Sequence, residues 1–404
     1  MFRRKFLTTN TLLILVIIIT LFFRLYRLDY PSKYMFDEVY HAFTAKEYLK
    51  GSKAAWEWWS VPPLGVAYEW THPPLAKEIM ALSMYTLHST DSWAWRLPGA
   101  LLGTFSVYLV YILAKHLFNK QVGLISAFIF SFDGLNFVQS RIGMNDIYFV
   151  TFMLISLYFF LNKKFFLSAL IISFSISSKW SGIYILLIYL PLLLAWRNYS
   201  KIIYFILLLP LIYLISYIPF FTSGHSAEQF IELQRQMWLY HTNLKAAHPY
   251  SSPWWSWPLN LYPVWYFVDY QGKNIATIFA FGNSVVFWAG SAAIFLTIWE
   301  AVKKQSCNLF LICLGFLVFW LPWAFSPRIM FLYHFSPSVP FLSIALGYQL
   351  YQISKDKQLI PVVICVLFSI FIVFLIIFPF LTGIPVPKPL INWYFLTNLA
   401  KNPF

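Results

Sequence analysis

Two short clusters of polar residues lie between the first two long apolar segments of the chain. Phe36-Asp37-Glu38-Val39-Tyr40-His41 stands near the start of this stretch, and Thr71-His72-Pro73-Pro74-Leu75-Ala76-Lys77 stands near its end. A carboxylate held within hydrogen-bond reach of a hydroxyl can act as a general base, and Asp37 is the candidate. Neighbouring side chains on a regular backbone point in different directions, so Glu38 is expected to orient the loop or a bound substrate.

Two other interpretations of these acids remain open. Asp37 or Glu38 could cap a helix that begins near Val39. Asp37, Glu38 and Asp146 could instead bind a hard divalent cation, although no spaced ligand motif supports a metal site.

Basic side chains recur in the loops further along the chain. A developing negative charge, such as that on a phosphate leaving group, is stabilised by fixed cations and hydrogen-bond donors. Arg141 and Arg328 are favoured because a guanidinium matches phosphate oxygens in pairs. The full set of candidates is Arg141, Lys179, Arg328 and His334. For each of them, contact with lipid headgroups at a helix end is the simpler alternative.

His72, Lys77 and Arg96 are assigned to the same site as residues that position the loop or the acceptor. The alternative for His72 and Lys77 is that a Pro-Pro turn merely starts an interfacial helix. Arg96 could simply bind a backbone carbonyl or Asp91 where a span begins.

The composition is typical of a protein embedded in a lipid bilayer. Of its 404 residues, 60% are hydrophobic and 11% are charged, and the mean hydropathy is +0.65. Apolar runs near helical membrane length recur, without the alternation of an outer-membrane strand. We therefore predict an all-α polytopic membrane protein. The three cysteines lie in or beside apolar segments and indicate no disulfide framework.

Eleven spans are predicted, separated by short turns and two long loops. The first is the apolar run Leu12–Phe23, and the others cover 93–114, 122–138, 147–161, 165–178, 181–196, 202–221, 276–299, 308–325, 329–350 and 359–381. They make up a transmembrane domain over 1–381, with a catalytic outer loop at 29–92, an aromatic-rich outer loop at 222–275 and an external tail at 382–404.

Charge sets the predicted orientation. Arg3-Arg4-Lys5 precedes the first span, and the turns on the same side carry Lys/Arg pairs such as Lys163-Lys164 and Lys303-Lys304. The positive-inside rule places these turns and the N-terminus in the cytoplasm, and both long loops and the C-terminus outside. The net charge of +14 is thereby explained by topology, and nucleic-acid binding is not indicated.

The two outer loops carry further features. The mixed run at 73–88 is short for a span, so we predict an interfacial helix with Lys77 and Glu78 on its polar face. Ser252-Pro253-Trp254-Trp255-Ser256-Trp257 is read as an interfacial aromatic belt or as a wall against a sugar or peptide. Proline at 385, 387 and 389 makes a continuous helix improbable in the tail.

An ordered set of motifs resembles the protein O-mannosyltransferases of the GT-C superfamily. The motifs run across most of residues 20–345, and together they are more specific than any one of them. They are Phe36-Asp37-Glu38, His72-Pro73-Pro74-Leu75-Ala76-Lys77, Arg96-Leu97-Pro98-Gly99-Ala100, Ser140-Arg141 with Asp146, Ser178-Lys179-Trp180, Ser252-Pro253-Trp254 and Phe331-Leu332-Tyr333-His334-Phe335-Ser336-Pro337.

The resemblance implies an enzyme of the cell membrane. Its members transfer mannose from a polyprenyl-phosphate carrier to Ser or Thr of exported proteins, with inversion and without a metal. It also favours Asp37 as the base and implies donor-binding roles for Asp146, Tyr333 and His334. Whether the chain works alone or as a dimer is left open.

Two departures from the family pattern stand out. The loop after the seventh span has no room for the β-trefoil module of eukaryotic members, so the chain looks like a bacterial or archaeal form. The Arg141–Asp146 segment lacks the leucine-rich, proline-following version of its motif, which leaves the role of Asp146 open.

Two other functions remain open. A related transferase with another sugar or a glycolipid acceptor would carry similar motifs. A transporter would show internal repeats and midplane charges, whereas the polar groups here gather at one face.

Overall fold

The structure, a computed structural model, describes residues 8–394. Within that range the chain is mostly helical, and apolar helices form a bundle. The bundle helices are α1 (Thr9–Leu25), α4 (Ser92–Leu117), α5 (Lys120–Ser131), α7 (Asp146–Leu161), α8 (Phe165–Ser178), α9 (Leu186–Ala195), α10 (Ile202–Ser216), α13 (Ser284–Lys304), α14 (Cys307–Trp320), α15 (Val339–Ser354) and α16 (Ile360–Thr382). Shorter helices are α2 (His41–Leu49), α3 (Leu75–Thr86), α6 (Gly134–Gln139), α11 (Ile218–Thr222), α12 (Ala227–Asn243) and α17 (Pro389–Tyr394).

This bundle is that of a multi-pass membrane protein. Five helical segments in the described residues are long and apolar enough to cross a bilayer, and further apolar helices have 10–17 residues. Every residue of α15 from Val339 to Leu350 is buried, as expected of a helix that is apolar all round and enclosed by others. By contrast, only a small share of α10 and α16 is buried inside the protein, 11% and 22% of their most apolar windows, and lipid covers the rest of these helices. The number of spans remains a prediction.

Several predicted spans are interrupted, and two of the breaks lie at polar side chains. The segment 122–138 divides into α5 and α6, because Asp133 accepts a hydrogen bond from the Asn136 backbone N–H (2.8 Å) and caps α6. The segment 329–350 begins with a 3₁₀ turn, Leu332–Ser338, before α15. Both breaks lie where polar side chains satisfy backbone groups that a continuous helix would pair internally.

A small sheet replaces the start of another predicted span. The strands β1 (Val264–Gln271) and β2 (Asn274–Ala280) form an antiparallel hairpin, and β3 (Val386–Pro387) pairs with β2. The eighth span therefore begins at Ser284 rather than at 276. Gly272 takes a φ of +61° in the hairpin turn, which glycine adopts without strain. Hydropathy alone merges the apolar β2 with the helix that follows it.

The predicted polar loop at 222–275 therefore contains ordered elements, namely α12 and β1. The described part of the tail holds β3 and α17, and the rest of the tail lies outside the described residues, as does Arg3-Arg4-Lys5.

The loop between α1 and α4 contains a 3₁₀ turn (Phe36–Val39), α2 and α3. Neither Asp37 nor Glu38 caps α2, whose N-cap Tyr40 makes no side-chain cap bond. The expectation that Lys77 lies on an outward polar face of α3 is wrong. Its ammonium is buried and donates to the carbonyls of Glu69 (2.8 Å) and His72 (2.9 Å), because a buried ammonium needs acceptors that only the preceding turn supplies.

Candidate active site

A cavity of about 1120 Å³ opens at the end of the bundle where α1 ends and α4 begins, here called the site end. Its walls come from the α1–α4 loop, the start of α7, the end of α8, the end of α12 and the segment before α15. Chemically competent residues in the lining are Asp37, His41, Glu69, His72, Asp146, Lys179, His241, Arg328, Tyr333 and His334.

Asp37 presents a free carboxylate to this cavity. Its side chain makes no hydrogen bond to any described residue. Burial, together with the negative charges of Glu69 and Asp146, raises its pKa from 3.8 to about 7, against the opposing effect of Lys179 and Arg328. A carboxylate with a pKa near neutrality is suited to accept a proton from a hydroxyl group.

Glu69 is a second cavity carboxylate, which the motifs did not predict. Its Oε1 accepts a hydrogen bond from the Thr71 hydroxyl (2.5 Å), and its backbone N–H donates to Thr44 Oγ1 (2.7 Å). Burial by itself would raise the pKa of Glu69, but His41, Lys77 and the Thr71 hydroxyl hold it below its ordinary value. Glu69 is thus the ionised neighbour that favours the protonated form of Asp37. Its one sequence signal is an isolated acid just before the His72 motif.

Asp146 and Lys179 form a buried ion pair at the cavity wall. Lys179 Nζ lies 2.7 Å from Asp146 Oδ1, while Asp146 Oδ2 has no hydrogen-bond partner in the described residues. Asp146 is the first residue of α7, where a negative charge is favoured by the helix dipole. The two predicted donor-binding residues are therefore brought together, with the lysine charge largely compensated.

Arg328 is joined to the opposite wall through His241. The Arg328 guanidinium contacts His241 Nδ1, and His241 Nε2 lies 2.7 Å from the Thr71 carbonyl oxygen. Burial and the charge of Arg328 lower the pKa of His241 to about 4, so the imidazole is neutral. It then accepts from Arg328 at Nδ1 and donates to Thr71 at Nε2. His241 lies on α12, in the segment predicted to be a loop.

Three imidazoles line up beside this pair. The ring centroids of His41 and His72 are 6.0 Å apart, and those of His72 and His241 are 5.0 Å apart. Burial lowers the pKa of His41 to about 4 and holds that of His72 well below its usual value. These imidazoles are consequently neutral at pH 7 and add polar contacts rather than charge.

Tyr333 and His334 complete the lining as predicted from the motif they share. The His334 ring lies 4.6 Å from that of Tyr333 and 4.2 Å from that of Trp323, between ring centroids. Tyr333 in turn lies 5.9 Å from Phe36, next to Asp37. This aromatic wall places the segment before α15 directly against the loop that carries Asp37.

Glu38 and Arg96 lie outside the cavity lining. The Arg96 guanidinium binds both Glu38 oxygens, at 2.7 and 2.6 Å, and both side chains are fully buried. Glu38 also accepts from the Trp95 indole and the Gly143 N–H, each at 2.9 Å. Glu38, expected to orient the loop or a bound substrate, fastens the Asp37 loop to α4 and to the turn before Asp146.

Arg141 also departs from its predicted place. Its guanidinium donates to the carbonyls of Phe23 (3.1 Å), Arg24 (2.6 Å) and Arg27 (3.2 Å). Phe23 and Arg24 lie in the last turn of α1, where carbonyls lack a partner within the helix, and Arg27 lies in the turn that follows it. Arg141 therefore ties α1 to the turn before α7, and the structure does not place it among the cavity residues.

No three His, Cys, Asp or Glu side chains among residues 8–394 are arranged to hold a metal ion. The positive groups that face the cavity are Lys179 and Arg328. The chemistry available to the described site is thus proton transfer by a carboxylate beside cationic hydrogen-bond donors.

Comparison with known families decides what kind of protein carries this cavity. The profile described as dolichyl-phosphate-mannose-protein mannosyltransferase matches residues 14–222. A second, described as the C-terminal four-TMM region of protein-O-mannosyltransferase, matches residues 226–398. The chain belongs to the protein O-mannosyltransferase family. It is therefore a mannosyltransferase of the membrane.

Individual relatives agree with this family. The polyprenol-phosphate-mannose–protein mannosyltransferase of Mycobacterium tuberculosis is 23% identical over 470 residues, spanning 93% of this chain and 88% of the relative. The enzyme of the same description from Mycolicibacterium smegmatis is 23% identical, spanning 78% and 79%. The S. cerevisiae protein O-mannosyltransferase Pmt1-Pmt2 complex, solved bound to the sugar donor, superposes with a TM-score of 0.82 at 15% identity. That superposition covers 97% of this chain and 92% of the yeast chain. The predicted GT-C-type fold is confirmed.

Proposed function

We propose that this mannosyltransferase moves mannose from polyprenyl-phosphate mannose to Ser or Thr hydroxyls of exported proteins, with inversion at the anomeric carbon. The observation that carries the proposal is the unpaired Asp37 carboxylate in a cavity that also presents Arg328 and Lys179. A base for the acceptor and cations for the leaving phosphate are the two groups that this reaction needs.

The proposed step is a single displacement. Asp37 takes the proton of the acceptor hydroxyl while the hydroxyl oxygen bonds to C1 of mannose. The bond between C1 and the phosphate oxygen breaks, and polyprenyl phosphate leaves with that electron pair. Attack from the face opposite the leaving phosphate inverts the configuration at C1. The protonated Asp37 then returns its proton to solvent, which a pKa of about 7 permits at neutral pH.

Arg328 is proposed to hold the leaving phosphate. Its Nε is buried without a partner in the described residues, and its Nη1 is fixed against His241. Because His241 is neutral, the positive charge of Arg328 stays available to an anion. Lys179 is already paired with Asp146, so its role is secondary and depends on how far that pair opens.

The surface between α9 and α14 supports a lipid-linked donor. Ile183 and Phe325 line the cavity and are exposed by 47% and 87%. Exposed leucines continue from them, at Leu187, Leu190 and Leu194 on α9, at Leu314 on α14 and at Leu321 just after α14. An isoprenoid chain lying along these leucines would bring its phosphate to the cavity from within the membrane.

The reaction is proposed to proceed without a metal, because Arg328 and Lys179 can supply the positive charge that a divalent cation would otherwise give the phosphate. Transfer should continue at an unchanged rate after chelation with EDTA. A loss of activity that Mg²⁺ or Mn²⁺ restores would contradict this part of the proposal.

The orientation is proposed from charge alone, with the N-terminus in the cytoplasm and the site end and C-terminus outside. Reporter fusions after Lys120 and Lys304 should report the cytoplasm, and a fusion at Lys245 should report the external side. The reverse pattern would place the cavity in the wrong compartment for exported acceptors.

Whether this mannosyltransferase forms a dimer is a separate question. Cross-linking in the native membrane would measure it.

The function is tested with purified protein in lipid nanodiscs and radiolabelled polyprenyl-phosphate mannose. A Ser/Thr peptide and a glycolipid are offered side by side, and the anomeric configuration of the product is read by NMR. Label in the peptide with inverted configuration is the expected result. Label in the glycolipid alone would overturn the choice of acceptor, and retention would overturn the single displacement.

A further inference from the structure

An uncharged apolar segment projects from the loop between α2 and α3. We call residues 58–66, Trp58-Trp59-Ser60-Val61-Pro62-Pro63-Leu64-Gly65-Val66, the apolar finger. Val61 is 90% exposed and Leu64 is fully exposed, at 105% of its reference area. A Cβ placed on Gly65 would meet no atom within 4 Å. The tip of the finger therefore stands clear of the rest of the described chain, with two aliphatic side chains uncovered.

The base of the finger is held firmly. Glu57 Oε1 lies 3.2 Å from His225 Nε2, and the Ser60 hydroxyl donates to the same carboxylate. The backbone N–H of Ala67, just past the finger, donates to the Val39 carbonyl (3.1 Å). Since both sides of the base are hydrogen-bonded and the tip contains Pro62-Pro63, the finger is a stiff projection rather than a loose loop.

The base lies at the end of a lipid-facing helix surface. His225 stacks on Phe220 of α11 with 4.4 Å between ring centroids. Just before Phe220, exposed apolar side chains run at helical spacing along α10 and into α11, at Leu207, Leu211, Leu214 and Ile218. This stripe belongs to the part of the bundle that the chain leaves open to lipid. The finger thus starts where that lipid-covered stripe ends.

The composition of the finger matches the same environment. Trp58 and Trp59 stand at its base, and indole rings favour the headgroup region of a bilayer. Val61 and Leu64 stand beyond them at the tip, without any charged residue between. This order, aromatic then aliphatic, corresponds to the passage from headgroups to acyl chains.

We propose that the apolar finger inserts Val61 and Leu64 into the bilayer leaflet at the site end. The inserted finger holds the adjoining segment Ala67–His72, which forms one wall of the cavity, at a fixed depth relative to the lipid. The inference concerns a lipid contact of this loop and stands whether or not the proposed acceptor and donor are correct.

Site-directed fluorescence tests this contact. Cys307, Cys313 and Cys365 are replaced, a single cysteine is introduced as Leu64→Cys or Val61→Cys, and each is labelled with NBD. The protein is placed in nanodiscs with or without lipids that carry a nitroxide on the acyl chain. We expect a blue-shifted emission and the loss of most of the intensity with nitroxide lipids at both finger positions.

Arg235→Cys is the matched control, because the Arg235 side chain is 69% exposed on α12 and forms an ion pair with Glu232. Its label should show little quenching by the same lipids. Equal quenching at the finger and control positions would overturn the proposal. A second result would also overturn it. If nitroxide lipids do not quench the finger labels and cross-linking joins Leu64→Cys to a second copy of the chain, then a protein rather than lipid covers the tip.

Discussion

The acid limb of the pH–rate profile depends on the charges around Asp37. Its pKa of about 7 lies roughly 3 units above the ordinary 3.8, which corresponds to about 4 kcal/mol favouring the protonated form. Only the carboxylate accepts a proton, so kcat/KM should be half-maximal at about pH 7 and fall about tenfold per unit below it. At about pH 5 the rate should be about one hundredth of the plateau.

Removing one neighbouring charge should move this limb. Glu69→Gln deletes the largest charge that opposes ionisation of Asp37. A neighbouring like charge raises the pKa of a carboxyl by on the order of 1 unit. The midpoint of the acid limb should therefore move about 1 pH unit towards acid. Lys179→Met deletes a charge that favours ionisation and should move the limb towards alkali. Glu69→Asp and Lys179→Arg keep the charges and should leave it near its wild-type position.

The assay is initial-rate mannosyl transfer in nanodiscs at limiting donor, with an acceptor peptide that has no group titrating near neutrality. Donor stability is checked at each pH, and inactive protein is excluded by size-exclusion profile. A profile that stays flat from about pH 5 to about pH 8 would refute Asp37 as the titrating base. A limb that Glu69→Gln and Lys179→Met move in the same direction would refute the charge argument.

The remaining predictions concern residues around the cavity. Glu38→Gln breaks a fully buried pair with Arg96 and should lower the free energy of unfolding by about 3–5 kcal/mol. An unchanged thermal midpoint of unfolding would show that the pair does not hold the loop. Arg328→Lys should raise the KM for the donor about tenfold with a smaller change in kcat, because the planar fork is lost; a changed KM for the peptide alone would place Arg328 at the acceptor. Gly103→Ala puts a Cβ 2.4 Å from Ser140 Cβ, so it should destabilise the fold by about 1–3 kcal/mol, and a stable Gly103→Ala protein would contradict the close packing of α4 there.

The sequence predicted the main polar residues of the cavity, Asp37, Asp146 and Lys179 through their motifs and Arg328 through its residue type. Asp37, Asp146, Lys179 and Arg328 all line it, because each is an ionisable residue in a loop at the same end of the bundle. Loops between antiparallel helices meet at a common face, so spacing alone brings such residues near one another. Their roles in catalysis stay predictions.

Glu38, Arg96 and Arg141 show what residue type alone does not reveal. Arg141 was predicted to bind phosphate, and Glu38 and Arg96 to orient the loop or a substrate. All three are bound by protein groups, and in none does the residue type show which partner binds it. The sequence shows that a charge is present but not which buried partner claims it. The carbonyls at and just after the end of α1, which Arg141 binds, have no signature in the sequence.

His241, Glu69 and β2 were missed for different reasons. His241 and Glu69 contribute to the cavity from segments far apart in sequence, and only the packing of α12 on the α1–α4 loop joins them. β2 was merged with the following helix because both are apolar, although the Gln271-Gly272-Lys273 turn before it was visible. Hydropathy reports burial in lipid or protein, and it does not separate a buried strand from a helix.

Asp37→Asn measures the central claim most directly, because it removes the base and keeps the size of the side chain. In nanodiscs the variant should bind polyprenyl-phosphate mannose with the wild-type affinity and transfer no detectable mannose to peptide at any pH. Transfer at the wild-type rate would show that another group takes the acceptor proton, and the assignment of the reaction to this carboxylate would then be wrong.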